Sequence, residues 1–218
     1  MRRIAVIGLS AFGMALVQAL AQERCRILAV DIDEHKVNQV RELADEAVIA
    51  DARERSALEA LRVADYDAVV LSVGEPLDSS LLAVLHLRDL KVEHIYAKAV
   101  TEDHRRLLLR LGVDEAIFPE ADMARRVALT LSDPTVLDTV RLGEDFAVVE
   151  VAPPKDYIGR TVGEVSAKLT DRVAIVAIRD MLRNETRFNP SPDSRISDSD
   201  VLIIIGKDEH VRHLGARR

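Results

Sequence analysis

The feature that most constrains this fold is a regular alternation of short apolar runs with helical segments over the first 120 residues. The runs are RIAVIG, RILAVD, EAVIAD, DAVVLSV, HIYAKA and EAIFPE. Because these runs are apolar throughout, they predict strands that are buried on both faces of a sheet. Strands that are separated by helices run parallel and are joined by right-handed crossovers. The sequence therefore predicts an α/β domain with a six-stranded, doubly wound parallel sheet that binds ligands beyond the carboxyl ends of its strands.

The pattern changes after Glu120. The segment ADMARRVALTLSD predicts one more helix, and it leads into no seventh parallel strand. Pro134 and Gly143 mark a hinge, and the runs FAVVEV, VAIVAIRD and VLIIIG then predict a small α+β domain with an antiparallel or mixed sheet. A short hairpin strand is expected at 186–188 and a final helix at KDEHVRHL. The predicted organisation is a first domain at 1–133, a hinge at 134–143 and a second domain at 144–218.

Composition limits the class of protein. The net charge of −7 and the aromatic content of 3% argue against nucleic-acid binding, which needs a basic surface or stacking aromatics. The single cysteine, Cys25, excludes an internal disulfide and fits a reducing cytoplasm. No apolar run is long enough to cross a bilayer, and the first run is too short for a signal peptide. We therefore expect a cytoplasmic protein that reaches a membrane only through a partner.

A glycine-rich turn, VIGLSAFG, joins the first predicted strand to the first predicted helix. Gly8 follows the strand and Gly13 lies in the opening turn of the helix, whose free N–H groups suit a phosphate. Ser10 replaces the middle glycine of the G-x-G-x-x-G pattern with a small residue whose hydroxyl can donate to phosphate. Asp31 ends the second strand, at the distance expected for a carboxylate that accepts from a ribose diol. These features predict a nucleotide site in a Rossmann-like domain and disfavour NADP, because the carboxylate repels a 2′-phosphate.

Three further charged residues follow strand ends. Asp51 lies either near the adenine edge or at the N-cap of the helix that starts at Glu54. Lys98 can reach a phosphate as a point charge. Glu120 can cap the following helix, bind a cation or bind a basic group of a partner.

The sequence offers no catalytic constellation. It contains no G-x-S-x-G, P-loop or H-E-x-x-H motif. Most of the six histidines fall on predicted helix surfaces, and His210 and His213 share a face of the final helix without the further ligands of a metal site. We therefore favour a ligand-sensing protein over an enzyme.

The motifs RIAVIGLSAFG, AVDIDEHKV, DAVVLSVGE, YAKA, FPEADMA and YIGRTVGEV together resemble the KTN/RCK family of potassium uptake regulators of the Ktr and Trk type. The resemblance covers nearly the whole chain in the right order. It implies an N-terminal RCK domain that binds NAD(H), ADP or ATP, and a C-terminal RCK-C domain that binds cyclic di-AMP in some members. It also implies a homodimer, often assembled into an octameric ring, at the cytoplasmic face of a potassium-translocating membrane subunit.

The resemblance carries family roles onto particular residues. It assigns the ribose acid to Asp31, the adenine-side acid to Asp51, the phosphate-proximal lysine to Lys98 and an interfacial, cation-binding acid to Glu120. The helix at 122–131 would dock onto the partner subunit. The full set of predicted nucleotide-binding residues is Gly8, Ser10, Ala11, Phe12, Gly13, Asp31, Asp51, Ala52, Val73, Gly74, Lys98 and Glu120.

One departure bears on the nucleotide. Family members that sense ATP commonly carry arginine where this sequence has Ala11, so the resemblance favours ATP over ADP, AMP or NAD(H) less strongly here. The alternative function is a small NAD-dependent oxidoreductase of the precorrin-dehydrogenase type. Such an enzyme shares the glycine turn and the small second domain, but it needs an acid–base group that this sequence does not supply.

Overall fold

The computed structural model describes residues 1–143, 145–169 and 173–211. Contacts divide the chain into two units, Met1–Ala121 and Asp122–Arg218. Among the described residues, no helix combines the length and the apolar character that crossing a bilayer requires. The final helix is present as Asp208–Val211. Lys207, the first residue of its predicted span, ends a strand instead, and residues 212–214, with His213, lie outside the described residues.

The first unit contains the predicted parallel sheet. Its six strands follow the order β3-β2-β1-β4-β5-β6, and every pair is parallel. The strands are β1 (Arg2–Ile7), β2 (Cys25–Asp31), β3 (Glu46–Ile49), β4 (Ala68–Leu71), β5 (Ile95–Lys98) and β6 (Glu115–Ile117). The strand order reverses between β1 and β4, which opens a crevice at the carboxyl ends of these two strands. The prediction of a doubly wound α/β domain is confirmed.

Helices cover both faces of this sheet. They are α1 (Ala11–Leu20), α2 (Glu34–Val40), α3 (Arg55–Ala60), α4 (Leu77–Asp89) and α5 (Glu102–Arg110), with a 3₁₀ turn at Val63–Asp65. Successive residues of a strand point to opposite faces. Accordingly, Val6 packs in one cluster with Val17 of α1, while Ile7 packs in the other with Leu87 of α4. Burial of one such side chain stabilises the fold by about 1.5–3 kcal/mol.

The second unit contains an antiparallel sheet in the order β10-β9-β11-β8-β7. Its strands are β7 (Val136–Leu142), β8 (Phe146–Val151), β9 (Val173–Asp180), β10 (Glu185–Phe188) and β11 (Asp200–Lys207). The helical elements are α6 (Pro119–Ser132), which starts at the end of the first unit, a 3₁₀ turn (Lys155–Tyr157), α7 (Val162–Ser166) and α8 (Asp208–Val211). A reciprocal pair of hydrogen bonds between Thr161 and Glu164 starts α7. The small α+β domain is as predicted, including the hairpin strand at 186–188.

The structure differs from the prediction at 134–143, where we expected a hinge. Val136–Leu142 form strand β7, which pairs antiparallel with β8 from Val136 to Leu142. Pro134 and Gly143 are strong local breakers, but here they flank a strand instead of interrupting one. Gly143 has a positive φ of 68°, which glycine adopts without strain. Most of the expected hinge is therefore a paired strand of the second sheet.

Candidate functional site

A cleft of about 680 Å³ lies at the carboxyl ends of the parallel strands. Nine of the twelve predicted nucleotide-binding residues line it: Gly8, Ser10, Asp31, Asp51, Ala52, Val73, Gly74, Lys98 and Glu120. The other three, Ala11, Phe12 and Gly13, open helix α1 and are not part of the lining. The predicted residues thus meet in one place because parallel strands end at the same edge of the sheet.

Two glycines make the turn before α1 tight. Gly8 has φ +92°, and a Cβ there would lie 2.8 Å from the Ser72 carbonyl carbon. A Cβ on Gly13 would lie only 2.1 Å from the Gly8 carbonyl oxygen. The Gly8 amide meanwhile donates to the Val30 carbonyl, which fixes the turn to β2. Glycine is therefore required at both positions for steric reasons.

Ser10, in the place of the middle glycine, fits the turn with ordinary backbone angles of φ −65° and ψ 175°. It is the N-cap of α1, and its Oγ lies 3.5 Å from the Gly13 amide nitrogen that donates to it. The same Oγ lies 2.6 Å from the Oγ of Ser72, which is 1% exposed. Serine at this position therefore keeps the turn and adds a hydroxyl beside that of Ser72 in the cleft lining.

Asp31 holds the turn as well as facing the cleft. Its Oδ2 accepts from the Leu9 amide at 2.5 Å, and its Oδ1 accepts from the Asp33 amide at 2.9 Å. Lys36 lies 3.8 Å from Oδ2, and Asp31 itself is only 9% exposed. A carboxylate has about four acceptor positions, so capacity remains for a ribose hydroxyl. The structure thus gives Asp31 a part in shaping the turn that the sequence did not indicate.

Asp51 is paired with a residue that sequence reasoning missed. Arg53 binds both of its carboxylate oxygens, and these hydrogen bonds hold the pKa of Asp51 below its ordinary value. Asp51 is not the N-cap of α3, because that position belongs to Glu54. Arg53 follows the end of β3 within a short loop, and its place beyond a strand end was the signal that could have identified it.

At the other end of the cleft, Lys98 and Glu120 form an ion pair with 2.5 Å between Nζ and Oε1. The hydrogen bond from Lys98 is the main reason that the pKa of Glu120 lies below its ordinary value. Glu120 stands in the first turn of α6 and not at the end of a strand as predicted, since β6 already ends at Ile117. The residues that the structure describes contain no cluster of three or more His, Cys, Asp or Glu that could hold a metal ion. A cation at Glu120 stays a prediction.

One histidine departs from the expected surface position. His104, in α5, is 1% exposed and bridges two neighbouring segments. Its Nδ1 accepts from the Val100 amide, and its Nε2 lies 3.0 Å from the Oγ of Ser80. Because Ser80 donates its hydroxyl proton to the Leu77 carbonyl, it accepts from His104, which assigns a neutral ring with the proton on Nε2. Burial lowers the pKa of His104.

We predict that His104 makes the protein acid-labile. Its pKa is lower in the folded than in the unfolded state, so the unfolded chain binds the extra proton as pH falls below about 6.5. The free energy of unfolding should then fall with a slope of up to about 1.4 kcal/mol per pH unit from this group. Urea titrations between pH 5 and 7.5 should show this slope in wild type and in the exposed-histidine control His35→Gln, and a smaller slope in His104→Gln. Equal slopes in wild type, His35→Gln and His104→Gln would contradict this prediction. If His104→Gln is too unstable to measure, NMR titration of the His104 imidazole in wild type tests whether its pKa is lowered.

The chain is similar to known proteins over nearly its whole length. The family model for the TrkA-N domain matches residues 4–119, and the model for the TrkA-C domain matches residues 146–217. The Ktr system potassium uptake protein C of Bacillus subtilis is 35% identical over 94% of this chain and 92% of its own length. The Ktr system potassium uptake protein A of the same organism is 30% identical over 97% of this chain and 94% of its own.

A solved structure shares the fold at lower identity. The GsuK channel bound to NAD superposes with a TM-score of 0.68 at 16% identity, over 98% of this chain. This chain spans 38% of the length of that channel chain. The similarity shows that the two-unit architecture is one that occurs within a channel protein.

Proposed function

Because this chain belongs to the family that joins a TrkA-N domain to a TrkA-C domain, we propose that it is a nucleotide-sensing regulatory subunit of a potassium uptake system. The observation that carries the proposal is the cleft itself, in which a glycine turn at a helix N-terminus and the carboxylate of Asp31 meet at the switch point of the sheet. The two Bacillus subtilis relatives described above match almost end to end and are potassium uptake proteins, which supports the same role.

The ligand that we propose is an adenine nucleotide. The solved channel with the same fold binds NAD, which supports this class. Ala11 is exposed and outside the cleft lining, so the site has no cation at this position for a third phosphate. We therefore favour ADP or NAD(H) over ATP. Binding of cyclic di-AMP to the second domain stays a prediction.

The proposed partners are a second copy of this chain and a potassium-translocating membrane subunit. Three apolar residues at helical spacing in α6, Met123, Val127 and Leu131, are 55%, 47% and 80% exposed. An apolar stripe of this kind is typical of a surface that a partner covers, which supports docking onto another subunit of a dimer or an octameric ring. The assembly would lie in the cytoplasm at the inner face of the cell membrane.

The proposed mechanism is linkage and not catalysis. A nucleotide changes the state of the assembly only by binding one of its shapes more tightly than another. That difference in affinity would bias the membrane subunit toward an open or a closed state. The oxidoreductase alternative finds no support among the relatives compared above.

Native mass spectrometry of the purified full chain tests the proposal. We expect an even-numbered oligomer that retains an adenine nucleotide, and co-purification with the cognate potassium-translocating subunit on co-expression. A strict monomer without nucleotide, or turnover of NAD with a hydroxy-acid or porphyrinoid substrate, would contradict it.

A further inference from the structure

The family resemblance assigns one residue, Asp51, to the base, and the structure places Arg53 beside it in the cleft lining. The strand order β3-β2-β1 places the glycine turn at the end of β1 and Asp31 at the end of β2. If phosphate lies at the turn and ribose at Asp31, the base lies at the end of β3. The residues there are Asp51 and Arg53, and both line the cleft.

The carboxylate of Asp51 is largely engaged by Arg53. Oδ1 accepts from the Arg53 backbone amide at 2.9 Å and from Nε at 3.0 Å. Oδ2 accepts from Nε at 3.0 Å and from Nη2 at 2.6 Å. Nε shares its single hydrogen between both oxygens, so three N–H groups of Arg53 engage the carboxylate and occupy most of its roughly four acceptor positions. The backbone bond also orients Asp51 independently of the guanidinium, and a base amine competes with the Arg53 side chain for this carboxylate.

The guanidinium, in contrast, keeps free donors. Within the part of the chain that the structure describes, Nη1 of Arg53 makes no hydrogen bond, and the Arg53 side chain is 53% exposed. Asp51 holds the planar group in place at the rim of the cleft. This end of the cleft therefore presents guanidinium donors beside a carboxylate that is already largely engaged.

Guanine and adenine differ in the hydrogen-bonding groups that they present to a guanidinium. Guanine presents two adjacent acceptors, O6 and N7, which match a guanidinium in a bidentate pair. Adenine presents an acceptor at N7 next to an amine donor at N6. A free Asp51 would suit the adenine amine better than an Asp51 engaged by Arg53 does.

We propose that the Arg53–Asp51 pair sets the base selectivity of this cleft and lets it accept guanine nucleotides alongside adenine nucleotides. The inference rests on the proposed function, because it requires that the cleft binds a nucleotide. Arg53 is a specificity-determining residue in this proposal, and the phosphate and ribose contacts are common to both classes of ligand.

Calorimetry of the full chain, freed of co-purified nucleotide, tests this with ADP and GDP as the two probes. In wild type, the Kd values for ADP and GDP should agree within about tenfold. In Arg53→Ala, GDP loses its bidentate contact and Asp51 becomes free for adenine, so the ratio should shift toward ADP by about tenfold or more. Arg53→Lys, which keeps the charge but not the fork, should shift the ratio in the same direction.

The matched control is Arg55→Ala. Arg55 stands two residues further on, is paired with Glu59 at 2.9 Å and does not line the cleft, so its loss should leave the ratio unchanged. Equal weakening of ADP and GDP by Arg53→Ala would overturn the inference, because Arg53 would then act as a general positive charge. Tight ADP binding with no GDP binding in wild type would also overturn it and leave the proposed function intact. Absence of binding by ADP, GDP and NAD in wild type would overturn both.

Discussion

Gly13→Ala is expected to lower the free energy of unfolding by about 3 kcal/mol or more and to abolish nucleotide binding. A Cβ at this position would lie 2.1 Å from the Gly8 carbonyl oxygen, which is a backbone atom and cannot rotate away. The Gly8 turn would have to move, and with it the bond from the Gly8 amide to the Val30 carbonyl. Urea denaturation and calorimetry with ADP measure the two effects.

The control for this prediction is Gly163→Ala in α7. Its Cβ would lie 3.2 Å from the Pro192 carbonyl oxygen, a contact that relaxes with a shift of a few tenths of an ångström. Alanine is also the better helix former, by about 1 kcal/mol, so the net effect should stay within about that amount. If Gly13→Ala keeps the stability and the nucleotide affinity of wild type, the close approach of Gly13 to the Gly8 carbonyl oxygen is not essential for the turn.

Asp31→Ala is expected to weaken nucleotide binding by at least about tenfold and to lower the free energy of unfolding by about 1–3 kcal/mol. The first effect comes from the lost ribose contact and the second from the Leu9 amide, which is left buried without its 2.5 Å acceptor. Asp31→Asn should lose stability as well, because its side chain has one acceptor for the two amides of Leu9 and Asp33 and turns a donor toward the other.

The matched control is Asp33→Asn. Asp33 also lines the cleft, but it caps α2 by accepting from the His35 amide, a role that asparagine performs equally well. We expect little change in affinity or stability. If calorimetry finds the same nucleotide affinity in Asp31→Ala as in wild type, Asp31 does not contact the nucleotide. If the free energy of unfolding is unchanged, Asp31 does not stabilise the turn.

Sequence reasoning was most successful where a local pattern has a single physical meaning. The continuous apolar runs predict strands buried on both faces, and this is correct for β4, Ala68–Leu71. It is wrong for β3 and β6, which are partly exposed because they lie at the two edges of the sheet. The spacing of the glycines and the position of Asp31 at the end of a strand likewise indicated where the cleft lies. It was least successful at 134–143, where Pro134 and Gly143 read as breakers although the strand between them is stabilised by its pairing with β8.

The amino-acid sequence by itself determined the class of the first domain, the place of its cleft and most of the residues that line it. Strand and helix periodicity and backbone sterics are local properties, and parallel strands necessarily bring their ends together. Only the tertiary structure showed which hydrogen bonds and ion pairs those residues form and how deeply they are buried. The engagement of Asp51 by Arg53, two residues further on, depends on the backbone conformation of the loop after β3. That Asp31 holds Leu9, that Lys98 pairs with Glu120 across 22 positions and that His104 is buried all depend on segments that meet in space. Such pairings follow from packing and electrostatics between loops, and no periodicity in the sequence encodes them.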